Sequence, residues 1–259
     1  DWSSDVCSSD LSNRNSAFGY QALRNTTSGG SNTGIGANAL TSNNIGSDNT
    51  AIGKDALYLN QSGVNNVAVG SGAMLDNVSG IDNVAVGRDA LNNTTSNYNV
   101  ALGSYAGFSN VSGTGNVFIG NNAGYFETGS DKLVIANTSN SVTPLIYGDF
   151  VSDYVGIGMN SPSAPLSFAN TSGKKITLWT SAPASTTQYY GLSLSTDQLE
   201  YRVDGTGQRH IFYAGGAGNT QTELMRIQGN RRIGINNASP TATLDVVGTF
   251  KLVDGTQAN

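Results

Sequence analysis

A glycine returns at Gly19, Gly36, Gly53, Gly70, Gly87, Gly103 and Gly120, at intervals of 17, 17, 17, 17, 16 and 17 residues. Each time it closes one phrase, written Asn15-Ser16-Ala17-Phe18-Gly19 at first and Asn66-Val67-Ala68-Val69-Gly70 later. Asparagine stands four residues before the glycine in every copy: Asn15, Asn32, Asn49, Asn66, Asn83, Asn99 and Asn116. So short and strict a period predicts a solenoid, because one such unit cannot bury its own apolar face and only stacking makes a core.

The phrase reads as a short strand. The residue before each glycine is apolar, from Phe18 to Ile119, and the one two earlier is Ser, Thr or Val, so alternation puts both on one face. We expect that face to line the inside of the coil. Between them stand Ala17, Gly34, Ala51, Ala68, Ala85 and Ala101, before Phe118 breaks the series. This small-residue strip admits close approach by another backbone, either a neighbouring subunit or the other wall of the same coil. Three residues after each glycine comes Ala, followed by Leu or Met in five copies and by Gly107 and Gly124 in the last two, so the second half-turn also buries a small-large pair. The glycine is expected to form a corner at positive φ or to leave room for a neighbouring turn. The asparagines are expected to form a ladder, bonding to backbone and to one another.

Composition narrows the functional classes. Charged residues make up 12% of the 259, with a net charge of −5 and no basic cluster beyond Arg231-Arg232, which argues against nucleic-acid binding. No apolar run approaches the roughly 20 residues of a membrane-spanning helix. There is one histidine, His210, so a nucleophile–base–orienter set has little to draw on. Asp55 and Asp89 occupy equivalent positions, but Gln21, Asn38, Gly72, Tyr105 and Asn122 stand there in the other copies, which marks a surface position and not a carboxylate pair. No calcium-binding glycine-aspartate turn repeats. We expect no catalytic residue, metal or cofactor.

Residues 1–11 lie outside the repeat and resemble the in-frame translation of a sequencing-library adapter; they also hold the sole cysteine, Cys7. Residues 12–126 are read as the roll and 127–153 as a cap or connector, since terminal coils must differ from internal ones. Residues 154–259 are read as a distal antiparallel β-module. A second repeat brackets that module at an offset of 78, Val155-Gly156-Ile157 through Pro162 to Leu166 against Ile233-Gly234-Ile235 through Pro240 to Leu244. The fold class is therefore all-β: a parallel β-roll or β-solenoid of about seven 17-residue coils followed by a smaller antiparallel module.

The asparagine-small-apolar-glycine phrase with its Ala-Leu sequel resembles the head repeat of trimeric autotransporter adhesins (YadA-like) and of related bacterial and phage tail-fibre proteins. The resemblance covers about residues 13–124, with longer coils than that family uses. It implies a homotrimeric, non-enzymatic, extracellular fibre that attaches to a host-surface protein, matrix or glycan, carried on a bacterial surface through an anchor beyond this segment or on a phage virion. A phage tail fibre, a plain spacer and, last, a glycan-degrading tailspike are the alternatives. For the trimer contact, the resemblance favours the strip Ala17, Gly34, Ala51, Ala68, Ala85 and Ala101. For receptor contact, the outward turns and the aromatics Tyr189, Tyr190, Tyr201, Phe212 and Tyr213 are the candidates, since aromatics are enriched at binding hot spots.

Overall fold

A computed structural model describes residues 13–139, 143–179, 190–195, 198–203, 207–215 and 221–250. Among them there is no α-helix. The chain divides into two compact units, residues 1–170 and 171–259.

The first unit is a β-solenoid. Seven three-residue strands, β1 (Ser16–Phe18), β2 (Thr33–Ile35), β3 (Thr50–Ile52), β4 (Val67–Val69), β5 (Val84–Val86), β6 (Val100–Leu102) and β7 (Val117–Ile119), pair in parallel, each with the next. Each coil stays compact because it turns at left-handed positions. The repeat glycines have φ between 113° and 141°, as a positive-φ corner requires. Asn38, Asp55 and Asp89, two residues after the glycine, and Leu40, Leu57 and Leu91, four after it, are also left-handed. An L-residue there costs about 1 kcal/mol or more, and bonds between coils offset it: Leu40 N–H donates to Ala56 O and Leu57 N–H to Ala73 O, both at 3.0 Å.

The interior corrects one expectation. The buried member of each strand is its middle residue, Ala17, Ala51, Ala68, Ala85 or Ala101, while Phe18, Ile35, Ile52, Val86, Leu102 and Ile119 are exposed. The small strip thus faces the other wall of its own coil, and the larger apolar residues point out. The opposite wall explains this inversion: Leu40, Leu57, Met74 and Leu91 lie across the strand fully buried, and a Cβ built on Gly34 would sit 3.3 Å from Leu23 Cγ. A narrow coil holds one large residue per layer, so a leucine from one wall demands alanine from the other.

The last coil tests that rule. Phe118 replaces alanine in β7 and is fully buried, and the opposite wall gives way to Gly107 and Gly124. A Cβ on Gly107 would stand 2.5 Å from Phe118 Cδ2. Phe118→Ala is expected to cost about 3 kcal/mol, since two glycines cannot fill the void. Adding Gly107→Leu should restore part of that loss, although Gly107→Leu alone should destabilise; thermal melts of the three variants check the sign reversal.

The sheet runs past the expected cap. β8 (Lys132–Ile135) pairs parallel with β7, then β9 (Ile146–Asp149) and β10 (Tyr154–Ile157) follow antiparallel, and β11 (Leu166–Phe168) closes an eleven-stranded sheet in parallel with β10. Residues 154–170 therefore belong with the solenoid and not with the distal module. The second unit holds an antiparallel three-stranded sheet, β12 (Gly173–Trp179), β13 (Tyr190–Ser195) and β14 (Gln198–Arg202), and a four-stranded one, β15 (Arg209–Gly215), β16 (Gln221–Gln228), β17 (Ile233–Ile235) and β18 (Leu244–Val246).

Candidate interaction face

The outward side of the eleven-stranded sheet carries aligned apolar residues. Strand register aligns Phe18 with Ile35, Ile52, Val69, Val86, Leu102 and Ile119 in one column. The column continues without a break through Ile135, Ile146, Ile157 and Phe168. A second column, two residues earlier, begins with Ser16, Thr33 and Thr50 and becomes apolar from Val67 to Leu133 before reaching Gly148, Val155 and Leu166. Even mid-stack, with neighbours on both sides, Ile52 keeps 38% of its surface exposed and Leu102 40%. Eleven strands at about 4.8 Å spacing make the face about 50 Å long.

Two asparagine ladders bond each coil to the next. In the expected one, Asn66 Nδ2 donates to Gly80 O at 2.7 Å and to Asn49 Oδ1 at 3.1 Å, while its own Oδ1 accepts from Asn83 N and Nδ2, both at 3.1 Å. Asn15, Asn32, Asn49, Asn83, Asn99 and Asn116 are likewise buried. A second ladder, which the phrase-based reading missed, runs through Asn43, Asn60 and Asn77, with Asn60 Nδ2 donating to Asn43 Oδ1 at 2.7 Å. The same 17-residue spacing six residues before the first ladder signals it in the sequence.

The first ladder is followed by an ion pair. Lys132 N–H takes the last amide oxygen, Asn116 Oδ1, at 2.9 Å, and Lys132 Nζ meets Asp149 Oδ2 at 3.2 Å. The hydrogen bond from Lys132 holds the Asp149 carboxyl below its ordinary range. Beside it Tyr147, buried in β9, donates its hydroxyl to Glu127 Oε2 at 3.4 Å. Burial first, then the charges of Glu127 and Asp149, push the Tyr147 phenol up, so it stays protonated.

The remaining candidates are scattered. Asp55 accepts a hydrogen bond from Asn38 Nδ2 at 2.8 Å and pairs with Lys54; Asp89 accepts from Asn92 Nδ2 at 3.1 Å. His210 Nε2 lies 3.1 Å from Tyr201 O, in the second unit. Tyr201, Phe212 and Tyr213 are exposed, and Tyr201 lines an open groove of about 560 Å³ with Leu192, Arg209 and His210. Tyr189 lies outside the described residues, as do residues 1–12, and Tyr190 opens β13. Among the described residues no three His, Cys, Asp or Glu side chains gather as metal ligands, and no helix is long and apolar enough to cross a membrane.

Sequence signals missed around Tyr105 also surface here. Tyr105, Phe108, Tyr125 and Phe126 form a contiguous aromatic group, with Phe108 and Tyr125 stacked at 5.0 Å across successive coils and the Arg88 guanidinium 4.6 Å from the Tyr105 ring. The stacking follows from coil register, so these rings extend the solenoid's side-chain ladders.

No known protein family matches the chain, and no curated protein matches it.

Proposed function

We propose that the chain is a segment of an extracellular, non-enzymatic attachment fibre, carried on a bacterial surface or a phage virion, in which three copies associate through the outward apolar columns of the solenoid. The observation that carries this reading is the continuous apolar column from Phe18 to Phe168, exposed at Phe18, Ile35, Ile52, Val86, Leu102 and Ile119 and half-buried at its other positions. Soluble monomers seldom leave so continuous an apolar surface in water. A second copy suits it better than an unrelated partner, because most of the face is built from one repeated phrase with its rows in register. Identical rows meet in register when copies stand side by side around an axis. The number three rests on the resemblance to adhesin head repeats. The corrected facing moves the subunit contact from the alanine strip to Ile52, Val86 and their column neighbours. The outward turns and the exposed aromatics Tyr201, Phe212 and Tyr213 are then left for a host protein, matrix or glycan, with weak contacts multiplied by avidity.

Light scattering of the full chain on a sizing column tests the assembly. The expected mass is three times the 26.8 kDa of the chain. Val86→Lys, which sets one charge per subunit in the middle of the face, should shift the mass toward the single chain while far-ultraviolet circular dichroism stays that of a β-protein. A folded wild-type monomer would overturn the reading.

A further inference from the structure

The groove beside Tyr201 in the second unit is lined by apolar side chains, by Tyr201 itself and by three basic groups, Arg202, Arg209 and His210, with no carboxylate among them. Its apolar part begins as a row across the three-stranded sheet, where Ile176 on β12 stands opposite Leu192 on β13 and Leu192 opposite Tyr201 on β14. From the four-stranded sheet, β15 contributes Arg209, His210 and Ile211. The His210 ring joins the two sheets, with Nε2 3.1 Å from Tyr201 O. The groove measures about 560 Å³, within the roughly 300–1,000 Å³ of small-molecule sites. A smaller hollow of about 290 Å³ adjoins it, sharing Tyr201, Arg202, Val203 and His210 and adding Ile227.

The two arginines differ. Arg202 is engaged: its Nε donates to Glu200 Oε2 at 2.8 Å, and that oxygen also accepts from Ser193 Oγ at 2.6 Å. Arg209 is exposed, and among the described residues no carboxylate stands within ion-pair distance of it. Glu223 is near enough to feel its charge but takes two hydrogen bonds from Arg226. One guanidinium on the groove is thus left to meet an anion, and its fork of donors fits a carboxylate.

The rest of the lining selects what that carboxylate is attached to. Ile176, Leu178, Leu192 and Ile211 offer no hydrogen bond, and arginine only donates. Because a backbone carbonyl only accepts, the contact with Tyr201 O assigns the His210 proton to Nε2 and leaves Nδ1 and the Tyr201 hydroxyl as acceptors. A sugar acid would set most of its hydroxyls unpaired against aliphatic side chains, which costs free energy. An alkyl chain has no such groups and gains from each carbon it takes out of water. Leu178 is 79% exposed and Ile176 37%, so such a chain would cover apolar surface that faces water. We infer that this groove binds a single-chain fatty carboxylate, its head on Arg209 and its alkyl chain along Ile176, Leu192 and Ile211. The site does not depend on self-association of the solenoid.

Calorimetric titration of the full chain with decanoate, below its micelle concentration, tests it. Decanoate is expected to saturate one site per chain with a negative heat-capacity change, the mark of apolar burial. Decanol, the same chain without the charge, should bind about tenfold more weakly, as the loss of one charge-assisted pair implies. Arg209→Gln should weaken decanoate by a similar factor and leave decanol unchanged, whereas Ile176→Ser should weaken both. Arg209 and Ile176 are exposed, so both variants should keep the circular dichroism of the wild type. Val86→Lys, on the solenoid face, should leave decanoate binding unaltered whatever it does to assembly. No saturable binding would overturn the inference, as would decanoate binding that Arg209→Gln leaves unchanged or that Val86→Lys abolishes. Glucuronate binding more tightly than decanoate would overturn it in favour of a sugar acid.

Discussion

Gly53→Ala is expected to lower the melting temperature by about 10–20 °C, the shift that corresponds to a loss of about 4–5 kcal/mol in a chain of this size. At φ +134° an L side chain is already strained, and the added Cβ would stand 2.6 Å from both Gly70 C and Gly70 O. Those are backbone atoms of the next coil, so no rotamer change relieves the contact. The two coils would have to separate where Gly70 N–H donates to Ile52 O at 2.8 Å. Gly72→Asn is the comparison. Gly72 is also left-handed, at φ +69°, but asparagine and aspartate occupy that corner in other coils and the nearest atom is the end of the Asp89 side chain. Its melting temperature should stay within about 4 °C of wild type, as a change below about 1 kcal/mol requires. Equal losses in the two variants would refute the stacking argument for Gly53.

Asn66→Ala is expected to cost about 4–6 kcal/mol. Its carboxamide is fully buried and serves two coil neighbours at once. Removing it takes the donor from Gly80 O, one donor from Asn49 Oδ1 and the acceptor from Asn83 N–H and Nδ2. A buried polar group left without its partner costs about 1–3 kcal/mol, and the losses combine here because Asn66 and its partners Asn49 and Asn83 are all fully buried. Denaturant melts give the magnitude. Hydrogen exchange gives the location, since the Asn83 amide should lose protection before amides of the first coil. Asn66→Asp should be nearly as damaging, because it keeps the acceptor but loses the donor to Gly80 O and buries a charge. A loss below 1 kcal/mol for Asn66→Ala would mean that the ladder follows the fold without stabilising it.

Both predictions fall on residues that the period alone selects. A 17-residue recurrence of Asn, small, apolar and Gly leaves few options for a chain without helical periodicity, and the strands, the glycine corners and the first ladder lie where the phrase places them. The second ladder, through Asn43, Asn60 and Asn77, was equally written in the spacing but stands outside the phrase. The extension of the sheet through β8–β11 was less legible. There the period ends, antiparallel pairing begins, and nothing local distinguishes a cap from four further strands until Ile135, Ile146, Ile157 and Phe168 come into register.

The coil, its length, its corners and its first asparagine ladder can be read from the residue pattern, because each depends on backbone conformations and hydrogen bonds that repeat locally. Which side of the strand is the inside depends on packing between the two walls of the coil. Alternation in a three-residue strand separates its middle residue from its two ends but does not say which faces the core. The answer comes from the opposite wall, where Leu40, Leu57, Met74 and Leu91 already fill each layer. Alanine must therefore turn inward, and the larger apolar residues are left on the surface that we propose as the subunit contact.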